Sequence, residues 1–383
     1  MGSIFRLFSL SLLLLYSTPS FSSTPSRTPS PPPPQPPFSK IYAFGDSYTD
    51  TGNTVSTTGP SGFNYVSSLP YGMTYFHRPT NRYSDGRLII DFVAQSLSLP
   101  LLPPYKAVAA RGGPHGVNFA VAGATAIEHQ FFVKNNLTFD ITPESLGTQL
   151  GWFNKVLEAQ GCGGGDRVKC GALFNDALVW VGEIGANDYA YSTGTSLSKS
   201  VIQSLAIRRI STFLEAILAK GAKYVVVQGL PPTGCLTLAM VLAAPDDRDE
   251  LGCVKSADQQ SLSHNALLQA KIEDLRKQFP ESVILYADYY SAYHDIMQTT
   301  AKHGFKEVFK VCCGSGGGPY NYDFFSACGS PSSSPCSNPS QYINWDGVHL
   351  TDAMNKAVSQ LLLEGGYSQP SFQYLLSKRK SQG

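Results

Sequence analysis

The sequence predicts an α/β protein whose parallel sheet is covered on both faces by helices. Three observations carry that prediction. Five short apolar runs read as strands: Ile41–Phe44, Val117–Ala120, Leu178–Val181, Tyr224–Gln228 and Val283–Ala287. Helical patterns lie between them. The runs are apolar almost without interruption, as strands buried on both faces are.

The elements follow in chain order. Arg6, the leucine-rich run Leu7–Tyr16 and the small residues Ser20, Ser22 and Ser23 have the order of a secretory signal peptide. The apolar run is too short to span a bilayer. Residues 1–23 are therefore expected to be a signal. Residues 24–39, with Pro31 to Pro34 unbroken, are expected to be an extended, solvated linker. A single domain then runs over 40–377, and residues 378–383 form a basic tail.

Within the domain, Leu88–Leu97 reads as a helix. Leu197–Lys220 is clearer, because Ile202, Leu205, Ile210, Phe213 and Ile217 recur at helical steps and Gly221 stops the run. Ser261–Phe279 and Ala353–Leu363 are two more.

Composition excludes some functions. Charged residues make up 15% of the chain, against roughly 25% in a typical soluble domain, and the formal net charge is +1. No basic excess suits a nucleic-acid partner. Eight cysteines behind a signal peptide favour disulfides. Cys162 with Cys170 and Cys235 with Cys253 are placed to close short loops. The pairing of Cys312, Cys313, Cys328 and Cys336 stays open. Neither a two-residue cysteine spacing nor an H-E-x-x-H segment occurs, so no metal and no cofactor are expected. Asn136-Leu137-Thr138 is the one glycosylation sequon, since Pro339 disqualifies Asn338.

In a parallel sheet the chemistry gathers at the carboxyl ends of the strands. Ser47 follows the first strand, Gly123 the second and Asn187 the third. A serine needs a base and the base an orienting group. Of seven histidines, only His349 has an aspartate three residues before it, Asp346. Glycine lets a backbone N–H approach substrate closely, and an asparagine amide donates without a competing charge. Taken singly, each has a plainer use: Ser47 as a helix cap, Gly123 in a tight turn, Asn187 as a turn cap. Their joint order is what points to ester chemistry.

That order resembles the plant GDSL esterase/lipase family of SGNH hydrolases. Phe44-Gly45-Asp46-Ser47-Tyr48-Thr49-Asp50-Thr51-Gly52-Asn53 is similar to its first block and Asn118-Phe119-Ala120-Val121-Ala122-Gly123-Ala124 to its second. Gly185-Ala186-Asn187-Asp188-Tyr189 resembles the third and Asp346-Gly347-Val348-His349 the last. Tyr83-Ser84-Asp85-Gly86-Arg87 and Cys312-Cys313-Gly314 match as well. The likeness runs from about Ile41 to Leu363.

It implies a three-layer α/β/α sandwich, flavodoxin-like, around a mostly parallel five-stranded sheet. Ser47 would be the nucleophile, His349 the base and Asp346 its orienter. The N–H groups of Ser47 and Gly123 and the Asn187 side chain would form the oxyanion hole. Position 48 departs from the family name, with Tyr for Leu, and is expected to affect packing or the pocket rim only. Asp46 and Asp50 are read as structural hydrogen-bonders.

The implied activity is a secreted hydrolase acting on a small-molecule or lipid ester, with no nucleic acid, stable membrane anchor or obligate protein partner. An acyltransferase would use the same residues, and a non-catalytic binding protein could keep the same scaffold. No G-x-S-x-G elbow occurs, which disfavours an α/β-hydrolase.

Overall fold

The computed structural model describes Gly2 and residues 36–59, 63–137, 142–162 and 167–381. The expected signal peptide beyond Gly2, and the linker as far as Gln35, lie outside the described residues. The folded unit begins at Pro36, earlier than the expected Lys40. Phe38 is the reason: it is fully buried, its ring edge-on to Tyr224.

Six strands form the central sheet: β1 (Lys40–Phe44), β2 (Gly116–Asn118), β3 (Ala177–Val181), β4 (Tyr224–Gln228), β5 (Val283–Ala287) and β6 (Ser368–Gln369). Their order is β6-β5-β4-β3-β1-β2, with the first five parallel and β6 antiparallel on the edge. The five expected strands are all present. The expected sheet lacked β6, which is two residues long and carries no periodicity to read.

The helices that flank the sheet and carry the site include α1 (Ile89–Ser96), α2 (Leu146–Ala159), α3 (Ala186–Ser192), α4 (Lys199–Ala219), α5 (Lys255–Gln278), α6 (Tyr289–Gln298), α7 (Asp352–Leu363) and α8 (Phe372–Ser381). Strand alternation sorts them into layers. Tyr42, Phe44, Val179, Val181, Val225 and Val227 point to one face and pack with residues of α2, α4 and α5. Ile41, Ala43, Leu178, Trp180, Val226 and Leu285 point to the other and pack with α1, α6, α7 and α8. The result is the three-layer α/β/α sandwich. Burial of each such large apolar side chain contributes about 1.5–3 kcal/mol.

The basic tail expected from Lys378 continues α8, with Lys378, Arg379 and Lys380 in its last turn. Cations there complement the negative end of the helix dipole, so a charge run that reads as solvated tail is a helix terminus. Asn136 is exposed just past the helix His129–Lys134, with φ +57°. Asparagine tolerates that left-handed conformation. Thr138 of its sequon lies outside the described residues. Among the described residues, no helix is long and apolar enough to cross a membrane.

Four disulfides close the cysteine account. Cys162–Cys170 and Cys235–Cys253 pair as expected. The open set resolves as Cys312–Cys336 and Cys313–Cys328, so the vicinal cysteines take separate partners. Cys312, Cys313 and Cys328 are buried in a third cluster with Tyr71, Tyr83 and Trp345. That cluster adjoins the loop carrying Asp346 and His349.

Candidate active site

The sheet order places the reversal of winding between β1 and β3, where α/β proteins bind ligands. Phe44 is in register with Val181, and the pairing runs on past the strands, with Gly182 N–H donating to Phe44 O at 2.8 Å. The segment after β1 therefore lies against the segment after β3. Ser47 sits in the first and Asn187 opens α3 after the second.

The turn after β1 is built by carboxylates. Asp46 Oδ1 accepts from Tyr48 N–H (3.1 Å), and its carbonyl accepts from Thr49 and Asp50 N–H. Asp50 gathers the N–H groups of Gly52, Asn53, Thr54 and Ala122 at 2.6–3.0 Å. It thereby joins the segment holding Ser47 to the one holding Gly123. Both aspartates are structural acceptors, as expected. Gln149 of α2, fully buried, grips Gly45 from below: Gly45 N–H donates to Oε1 (3.0 Å), and Nε2 donates to Gly45 O (2.7 Å).

Ser47 and Gly123 are both buried. Among the described residues, neither backbone N–H meets an acceptor within the protein. Orphaned buried N–H groups are rare. The two donors follow adjacent strands, β1 and β2. Gly123 has φ +78°, which glycine adopts without strain.

The loop from Asn344 to Leu350 folds back on itself. Trp345 N–H donates to His349 O at 2.7 Å, and Thr351 N–H to Ile343 O. Gly347 has φ +103° at the reversal, where a Cβ would meet Tyr322 at 2.3 Å. Inside the loop Asp346 accepts from the N–H of Val348 (3.1 Å) and of His349 (2.8 Å) through Oδ1. Its Oδ2 lies 2.8 Å from His349 Nδ1. Tyr71 Oη donates to the same Oδ2 at 2.8 Å. Burial alone would raise the Asp346 carboxyl. The facing imidazole and these hydrogen bonds outweigh it and hold the carboxyl below its ordinary value. Asp346 is therefore an anion at neutral pH, which fixes Nδ1 as the protonated nitrogen and leaves Nε2 to accept.

Neighbours moor this loop. Cys312 and Cys313 N–H donate to Asn344 O and Trp345 O, so the disulfide-bonded segment holds its base. Arg87 clamps Asp352 at the start of α7 through Nε and Nη2, both at 3.0 Å. Asp85 accepts from Asp352 N–H at 2.7 Å. The Tyr83–Arg87 stretch thus anchors the helix that follows His349, and the Tyr83 ring lies 4.7 Å from the imidazole. Phe63 and Tyr48 rings complete the enclosure at 5.1 and 5.7 Å.

Tyr48 does more than the expected packing. Its Oη donates to Val348 O at 2.5 Å, tying the residue beside Ser47 to the residue beside His349. No hydrogen bond joins Ser47 Oγ to His349 in this structure, and such contacts commonly tighten only with substrate. Asn187 is placed at the site, but its amide is engaged. Nδ2 donates to Asp46 Oδ2 (2.9 Å) and to Ala124 O (3.0 Å). An oxyanion would have to share one of those hydrogens.

Among the described residues, Cys235, Cys253 and Asp258 are the one group close enough to hold a metal. The two sulfurs are joined in a disulfide, so neither is a thiolate ligand.

With this geometry in view, comparison with known proteins is decisive. Residues 41–362 match the family described as GDSL-like Lipase/Acylhydrolase. The chain belongs to that family. A GDSL esterase/lipase of Arabidopsis thaliana is 53% identical over 373 residues, covering 96% of this chain and 95% of its own. A second from the same plant is 37% identical over 389 residues, covering 99% and 97%. The sinapine esterase of Brassica napus is 38% identical over 345 residues, covering 88% of each chain. The protein is a GDSL-type hydrolase of ester bonds.

In this GDSL chain the residues that support the site were the hardest to read. Gln149, Tyr71 and Glu183 reach it from 104, 275 and 137 positions away from their partners Gly45, Asp346 and Asp46. No local pattern announces contacts of that kind. Only Glu183 carries a signal, an acidic residue two positions past a buried strand.

Proposed function

We propose that the protein is a secreted serine carboxylic ester hydrolase that works through an acyl-Ser47 intermediate. The observation that carries this reading is the 2.8 Å contact between His349 Nδ1 and Asp346. It stands at the strand rim where Ser47 and Gly123 N–H groups lack acceptors.

Ser47 Oγ attacks the ester carbonyl carbon while His349 Nε2 takes its proton. The carbonyl oxygen becomes an oxyanion held by the N–H groups of Ser47 and Gly123 and by the Asn187 amide. The ester bond breaks as the alkoxide leaves with the proton from His349, and the acyl group stays on Ser47. Water, deprotonated by His349, then attacks the acyl-enzyme; the acyl–Oγ bond breaks, His349 returns the proton to Ser47 Oγ, and the acid is freed. The rings of Tyr48, Phe63 and Tyr83 around His349 suit a small-molecule or lipid ester and limit access by bulk water. No nucleic acid, membrane anchor or obligate protein partner enters the mechanism. Four disulfides support secretion, since such bonds persist in oxidising compartments. Asn136, exposed, is the glycosylation site of the secreted form.

Two results test the reading. Asn187→Ala should lower turnover by about 10²–10³ with little change in KM, the usual loss for one oxyanion donor; unchanged turnover removes Asn187 from the hole. Product analysis with a competing alcohol present should find free acid as the main acyl product. Predominant transfer to the alcohol would make the protein an acyltransferase on the same residues.

A further inference from the structure

Glu183 is the most anomalous side chain near the site. It is fully buried, and no N–H or O–H of another residue reaches either carboxyl oxygen among the described residues. The Asp46 carboxyl, also buried, faces it. Two carboxylates do not hydrogen-bond each other unless a proton lies between them. A bare pair of buried charges in contact would be prohibitively unfavourable.

Asp46 has its remaining capacity committed. It accepts from Tyr48 N–H and, through Oδ2, from the Asn187 amide. The carboxyl pair therefore sits directly behind the donor that the proposed mechanism assigns to the oxyanion.

We propose that Glu183 is a positioning residue that holds one proton against Asp46 and so frees the Asn187 amide for the oxyanion. The proposal rests on the reading of Asn187 as an oxyanion-hole donor. With the proton in place, Asp46 carries only part of a negative charge, and its claim on the Asn187 hydrogen is weak enough to be shared. Without it, a full anion binds that hydrogen, and a second negative charge faces the developing oxyanion.

Burial is the main cause that pushes both carboxyls up. Glu183 goes well above the ordinary range, helped by the charge of Asp46. The direction is one proton retained on the pair by burial and removed as pH rises. Other groups facing the pair are Tyr48 and Asp50 from the same turn, Asp188 from α3, His349 from the last loop and Tyr289 from α6. His264 of α5 adjoins Gly185, and burial lowers its pKa to about 3, so it adds no charge.

The test is the pH profile of kcat for p-nitrophenyl acetate hydrolysis by wild type, Glu183→Leu and Glu183→Gln. Fluorophosphonate labelling of Ser47 is measured in parallel. Wild type should lose turnover on the alkaline side. Glu183→Leu should lower kcat by about tenfold or more, with KM within about twofold. Glu183→Gln, whose amide donates permanently to Asp46, should recover most of that loss and abolish the alkaline descent.

An alkaline limb unchanged in Glu183→Gln, or wild-type kcat in a folded Glu183→Leu, overturns the proposal. Should Glu183→Leu not fold, the Glu183→Gln profile decides alone. If wild type itself is not labelled, the esterase mechanism has failed, not the proton pair. Infrared difference spectra then test the pair directly. A neutral carboxylic-acid band in wild type at neutral pH must vanish in Glu183→Gln, and its absence from wild type is contradictory.

Discussion

Ser47→Ala should reduce kcat for ester hydrolysis by about a million-fold, the loss seen when a triad nucleophile is removed. The fold should not notice. The Ser47 hydroxyl makes no hydrogen bond within the protein among the described residues, and the turn around it is held by Asp46 and Asp50. Unfolding free energy should therefore change by no more than about 1 kcal/mol. The check is steady-state kinetics beside urea unfolding. A variant that keeps more than a hundredth of wild-type turnover would assign the chemistry to another residue.

The second large effect is expected at Asp346. Asp346→Asn should lower kcat by about 10⁴ while KM stays within about twofold. The hydrogen bonds around the carboxyl say why. Oδ1 accepts from two backbone N–H groups, Val348 and His349, and an asparagine must keep its carbonyl oxygen there. Its NH2 group then replaces Oδ2, the oxygen nearer to His349 Nδ1 at 2.8 Å against 3.0 Å for Oδ1. Nδ1 becomes an acceptor, the proton moves to Nε2, and the base can no longer take a proton from Ser47. Tyr71 would also lose its acceptor. Measurement of kcat and KM separately distinguishes this outcome from a loss of substrate binding. A loss smaller than tenfold would mean that the imidazole tautomer is set by another group.

Much of this was legible before the structure. The five parallel strands are apolar and end on Gly or polar residues, so both the sheet and the rim could be read from period and punctuation. The rim residues Ser47, Gly123 and Asn187 follow from the strands, and His349 from its aspartate at i−3. Illegible parts have physical reasons. Helix α2 places Gln149 on its buried face with Phe153 and Val156, and a polar residue there blurs the apolar stripe. Helix α8 ends in a charge run that belongs to its dipole. The bridge from Tyr48 to Val348, the Tyr71 hydroxyl on Asp346 and the Glu183–Asp46 pair are all contacts of the tertiary fold. A sequence records the residue but not its partner.

The central claim is that Ser47 is an activated nucleophile. Intact-mass analysis after treating the disulfide-intact protein with a fluorophosphonate tests it most directly, with Ser47→Ala alongside. One adduct on the wild type and none on the variant is the predicted result. An adduct that survives in Ser47→Ala, or no adduct on folded wild type, would contradict it.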